Sequence, residues 1–188
     1  MGAYVDTEYK GVNFEEEPLS PGDYIDCRFS GCRFAGADLS ELTFDGCVFE
    51  NCDLSLVKLG NTAFRKVEFR GCKMLGMRFD QCNPFGLEFH FTGCVLNLSS
   101  FFRLKIKKTR FEECKMVEVD LVEADLEGAV FDGCDLSGTM FDHTNLEKAD
   151  FRMAQHYIIN PETNRIRKAK FSWPGLAGLL ARYGILIE

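Results

Sequence analysis

The chain has 188 residues, 46% of them hydrophobic and 27% charged, with a formal net charge of −7. That length suits one domain, and no apolar run approaches the roughly 18 residues of a membrane helix. The opening Met1-Gly2-Ala3-Tyr4-Val5-Asp6 has neither the basic nor the apolar region of a secretion signal, so a cytoplasmic location is expected.

Residues 1–13 are predicted to form an N-terminal cap or partial first coil. Tyr9 stands 20 residues before Phe29, and Glu15-Glu16-Glu17-Pro18 would keep this end soluble.

Residues 14–171 carry a repeat. Phe29, Phe49, Phe69, Phe89, Phe111, Phe131, Phe151 and Phe171 form a ladder whose steps are 20 residues, except the 22 between Phe89 and Phe111. Cys32, Cys52, Cys72, Cys94, Cys114 and Cys134 repeat the pattern, with 22 between Cys72 and Cys94. A fixed period of this length means one supersecondary unit stacked on itself. Together the two ladders place a two-residue insertion between Phe89 and Cys94, so His90, Phe91, Thr92 and Gly93 are the expected bulge.

Each unit divides into four fives. A large apolar residue recurs at every fifth position, a centre, and only Pro84 breaks the rule between Phe14 and Phe89. The residue two before each centre is mostly small. A period of five fits neither a helix at 3.6 nor a flat strand at 2. It fits a four-sided coil with a corner in every five, whose centre and i−2 positions point inward. Coils stacked by parallel backbone pairing, about 4.8 Å apart, would form a rod about 35–40 Å long.

All nine cysteines (Cys27, Cys32, Cys47, Cys52, Cys72, Cys82, Cys94, Cys114 and Cys134) precede a centre by two. They are read as free thiols packed inside, since Cys behaves as a small buried hydrophobe. His90, His143 and His156 do not recur with Cys at ligand spacing. No metal, cofactor or catalytic constellation is expected, and a filled narrow interior leaves no concave pocket for an enzyme.

Charge is banded along the chain. Residues 1–57 sum to −9, 58–110 to +8, 111–151 to −10 and 152–188 to +4. In the third band Glu118, Asp120, Glu123 and Asp125 avoid the inward positions, so they are the candidate partner contacts. Dense carboxylates on a rod can imitate duplex phosphates. The basic band, with Arg103, Lys105, Lys107, Lys108 and Arg110, lacks the aromatic interleaving of a single-strand platform, and direct nucleic-acid binding is not expected.

The pattern fades over residues 155–170, where Asn160-Pro161-Glu162-Thr163-Asn164 signals a turn. Residues 172–188 are predicted as a capping helix with an apolar tail. Ser172 and Pro174 supply start signals, Leu176, Leu179, Leu180 and Tyr183 form an apolar stripe, and Gly184 is placed to end it. Ile185, Leu186 and Ile187 follow. The seven apolar residues of this end are the expected dimer contact.

Runs such as Ala37-Asp38-Leu39-Ser40-Glu41 and Ala124-Asp125-Leu126-Glu127-Gly128 resemble the pentapeptide-repeat family. The resemblance implies an all-β fold, a right-handed quadrilateral parallel β-helix. Asn83-Pro84-Phe85-Gly86-Leu87-Glu88-Phe89 and the end from Leu179 to Ile187 are similar to the quinolone-resistance (Qnr) branch and its mycobacterial relative. That likeness implies a non-enzymatic homodimer, joined at the C-terminus, that binds DNA gyrase or topoisomerase IV by DNA mimicry or direct contact and blunts quinolone action. Many Qnr proteins carry two long outward loops, where this chain has a two-residue insertion. A protein-interaction scaffold with another partner is the alternative.

Overall fold

The computed structural model describes residues 2–186. In chain order its strands are β1 (Gly2–Val5), β2 (Glu8–Lys10), β3 (Gly22–Ile25), β4 (Arg28–Ser30), β5 (Thr43–Asp45), β6 (Val48–Glu50), β7 (Ala63–Arg65), β8 (Val67–Arg70), β9 (Phe89–Thr92), β10 (Arg110–Glu112) and β11 (Val130–Asp132), and the one α-helix, α1 (Ala177–Leu180), comes last. All pairing is parallel. One face stacks β1-β3-β5-β7 and the next stacks β2-β4-β6-β8-β9-β10-β11. The other two faces are held by single bridges such as Arg33↔Asp53 and Ser100↔Asp120. The chain is a right-handed four-sided parallel β-helix. No helix among the described residues is long and apolar enough to cross a membrane.

The five-residue period works because corners need left-handed backbone. Asp26, Asn51, Leu56, Lys108 and Glu123 have φ between 52° and 59°. Such conformations disfavour L-residues by about 1–2 kcal/mol each, so the paired coils above and below must hold them. In-register pairing brings identical side chains into contact inside. Tyr9 and the rings at 29, 49, 69, 91, 111, 131, 151 and 171 form one column, with successive centroids 4.6–5.4 Å apart and interplanar angles of 20° or less. That is offset stacking, favourable beyond area burial alone.

The column corrects the ladder read from the sequence. Phe91, not Phe89, pairs with Phe69, while Phe89 pairs with Val67. The expected bulge at His90, Phe91, Thr92 and Gly93 is therefore wrong. The first three lie in β9, and Phe91 is fully buried. The extra residues are looped out earlier. Asn83 N still bonds Thr62 O at 2.9 Å, in the undisturbed register, whereas Glu88 N bonds Phe64 O at 3.0 Å. Pro84, the one failed centre, is exposed and leaves a gap above Phe64. The fully buried Phe89 occupies the interior there, 5.4 Å from the Phe79 ring and 6.5 Å from Phe64.

The nine cysteines are free and buried. Their position has a second role that reading them as hydrophobes missed. Sγ of Cys47, Cys52, Cys72, Cys94 and Cys134 donates to a carbonyl one coil below, at 3.2–3.4 Å. Thr62 and Thr144 do the same with Oγ1 at 2.8 Å, and Ser99 with Oγ at 2.9 Å. The i−2 position wants a small side chain that can also donate.

Candidate functional site

The C-terminal end is built on the last coil. Ile159 and Tyr157 are both buried. Ser172 Oγ accepts from Gly175 N at 3.3 Å, as its place before Pro174 predicts. The segment then runs as a 3-10 turn, Pro174–Leu176, the short α1, and a second 3-10 turn, Ala181–Tyr183, closed by Gly184 at φ 60°. Two glycines let it approach the coil. A Cβ at Gly175 would lie 2.0 Å from Tyr157 Oη, and one at Gly178 would lie 2.1 Å from Tyr157 O. Gly178 O in turn accepts from Ile159 N at 3.1 Å. Arg182 bonds Asn160 Oδ1 and Glu162, and Tyr183 Oη bonds Glu162 at 2.9 Å.

Of the seven predicted dimer residues, Leu176 and Leu179 are half-buried against the rod. Leu180, Tyr183, Ile185 and Leu186 are exposed, Leu186 at 92%. Ile187 lies outside the described residues. Trp173, at the start of the same segment, is 86% exposed, and no sequence signal singled it out as a contact.

The four candidate acids do not share a face. Glu118 and Glu123 sit at two successive corners, both with positive φ. Asp120 lies on the side between them, bridged to Ser100 and Met140, and Asp125 lies on the next side, bridged to Lys105 and Asn145. Two are engaged by the basic coil beneath. Arg103 grips Glu123 through two bonds, at 2.8 and 3.1 Å, and this guanidinium holds the Glu123 carboxyl below its ordinary range. Lys107 lies 3.3 Å from Asp125 and 3.0 Å from Glu127, and Lys148 also bonds Glu127. Lys148 first, then Lys107, hold Glu127 down to about 2. Glu118 and Asp120 form no ion pair among the described residues. The acidic band is thus partly neutralised along the rod axis, a pairing at 20-residue spacing that charge counting by segment hides.

The hollows on this surface are open. The loop at 83–88 borders one of about 650 Å³, lined by Gly86, Leu87, Glu88, His90 and the Lys105–Thr109 edge. Among the described residues, no cluster of three or more His, Cys, Asp or Glu side chains could hold a metal ion.

The architecture is shared. Similar solved structures include two trypsin-treated variants of QnrB1, described as a plasmid-mediated fluoroquinolone resistance protein. One matches with a TM-score of 0.69 and 17% identity, over 100% of this chain and 92% of that one. The other matches at 0.61 with 18% identity, over the whole of both chains. At such identities the likeness is one of fold. No curated protein matches the sequence significantly. A family model described as a pentapeptide repeat region matches residues 23–89 and 87–156, two segments that meet where the extra residues leave the coil. The chain belongs to the pentapeptide-repeat family.

Proposed function

We infer that this chain is a non-catalytic rod that pairs with a second copy through its C-terminal end and binds a type II DNA topoisomerase. The observation that carries the reading is that end itself. Trp173, Leu180, Tyr183, Ile185 and Leu186 are exposed on a segment held to the rod by Tyr157 and Glu162. A cap needs one apolar face, and this segment offers a second, which suits a two-fold contact. The fold likeness to a fluoroquinolone resistance protein and the sequence likeness at 83–89 and 179–187 support the topoisomerase as partner. A joint there would set two copies of the 111–151 band on either side, with Glu118 and Asp120 as the carboxylates left for a basic groove.

Leu180→Asp with Ile185→Asp should turn a dimer at tens of micromolar into a folded monomer by light scattering. The dimer should inhibit gyrase supercoiling or, with ciprofloxacin present, restore it. Glu118→Lys with Asp120→Lys should abolish the effect without altering the circular dichroism. A wild-type monomer would remove the joint, and inert supercoiling at micromolar protein would remove the topoisomerase. One observation favours the rival reading, a scaffold for another protein. Arg103 and Lys107 already occupy Glu123 and Asp125, which leaves the band less like a row of phosphates.

A further inference from the structure

The loop that carries the extra residues is fixed at both ends. Asn83 N and Glu88 N bond the coil below, at 2.9 and 3.0 Å. Within it Asn83 Oδ1 accepts from Phe85 N at 3.0 Å, and Gly86 takes φ 69°. Phe85 is displayed at the top, 80% exposed. The loop's own hydrogen bonds thus set where this phenyl ring meets solvent.

Cations bracket this ring along the rod. Below it stand Arg65 and Lys66, and a Cβ at Gly86 would lie 3.6 Å from Arg65 Nε. Above it stand Lys105, Lys107 and Lys108, which line the 650 Å³ hollow beside the loop. Lys107 is held by Asp125 and Glu127, but Arg65, Lys66, Lys105 and Lys108 form no ion pair among the described residues. Glu88 is the one carboxylate in the lining. His90 lines it too, with Nδ1 accepting from Arg110 N at 3.2 Å. The two cationic sets lie two coils apart, about 10 Å at the parallel-strand spacing. Bases are matched to acids between coils at Lys73–Asp53 and Arg103–Glu123, while Lys58, Lys115, Arg167 and Lys168 form no ion pair among the described residues. What sets this place apart is four unmatched bases around one exposed ring.

We propose that this loop and its flanking cations bind single-stranded nucleic acid, with a base stacked on Phe85 and phosphates on Arg65, Lys66, Lys105 and Lys108. The basic band gains from the loop the aromatic surface that the repeat pattern alone withholds. An exposed ring between cations suits a strand that carries both π faces and phosphates, whereas an acidic polypeptide would use the cations and leave the ring in water. This site is independent of the topoisomerase reading and of the C-terminal joint.

The probe is a fluorescein-labelled 12-residue oligothymidylate, read by anisotropy against the full chain. Four neutralised phosphates give a salt slope of about −2.8, so affinity should fall roughly 50-fold between 50 and 200 mM salt. Phe85→Ala should weaken binding roughly 5- to 150-fold and leave the slope unchanged. Lys105→Gln with Lys108→Gln should lower the slope by about 1.4. Lys115→Gln, on another side of the rod, should change little. All these side chains are exposed, and circular dichroism checks that each variant folds. No binding at 100 µM protein in 50 mM salt would overturn the proposal. Equal affinity of Phe85→Ala, equal affinity for duplex DNA, or equal displacement by polyglutamate of the same charge would also overturn it.

Discussion

At the scale of single residues, the interior position two before each centre is the most constrained. A side chain there is mostly small, though Leu42, Met77 and Leu104 are also buried at it, and in most coils one donates to the carbonyl beneath, as Cys52 does at 3.4 Å and Thr62 at 2.8 Å. Centres face a different demand, to stack on a like ring. Phe69 lies 5.2 Å from both Phe49 and Phe91 and is fully buried. Phe69→Ala should cost about 3–5 kcal/mol in urea melts, the cavity adding to the lost transfer energy. A loss under about 1 kcal/mol would mean that this ring is not part of a close-packed column. Tyr157 carries the one buried side-chain polar atom without a partner among the described residues, its Oη. Because Tyr157→Phe removes an unpaired hydroxyl, it should leave the melting temperature unchanged or raise it. A drop of several degrees would show that the hydroxyl is satisfied.

At the scale of elements, the C-terminal segment is too short to be a stable helix by itself. Isolated helices under about 12 residues are marginal, and α1 has four. Its order comes from contact with the last coil through Gly178. Gly178→Val should displace the segment, since even a Cβ there meets backbone at 2.1 Å. Trypsin should then cut at Arg182 at least several-fold faster while the β signal of circular dichroism persists. Unchanged cleavage would mean that the segment holds its place without this contact. The loop at 83–88 is the other irregular element. There the extra residues leave the coil at a proline that cannot serve as a centre, and the strand after it resumes the parallel register.

At the scale of the whole molecule, ion pairs such as Arg103–Glu123 and Lys107–Glu127 run from the basic band to the acidic band on the next coil. Glu127 shows the consequence for pH. Its carboxyl falls from an ordinary 4.5 to about 2 in the folded chain, through Lys148 and Lys107. A depressed folded value means that the contribution is complete above 4.5 and is lost as pH falls through 2. The melting temperature of the wild type should therefore decline between pH 4.5 and 2 more than that of Glu127→Gln, and salt should narrow the gap. Parallel slopes for the two proteins would show that these pairs do not couple the coils. The same pairing bears on partners, because the net charge of a band overstates the field outside it.

The period of 20, its division into fives and the inward place of the cysteines were all legible in the sequence, because a stacked coil repeats its chemistry at every turn. The C-terminal apolar run and the cap signals at Ser172, Pro174 and Gly184 were legible too, being local. The register at the insertion was not. Steps of 20 then 22 through Phe89, and of 22 then 20 through Phe91, fit the same rows of letters, and only backbone pairing and the space above Phe64 decide between them. Nor could the sequence show that Gly175 and Gly178 meet Tyr157, or that Arg103 and Lys107 occupy Glu123 and Asp125. A periodic sequence determines what stacks on what within the repeat. Contacts that break the period, or that join one coil's surface to the next, depend on how far the chain has advanced along the rod, which is set by the tertiary structure.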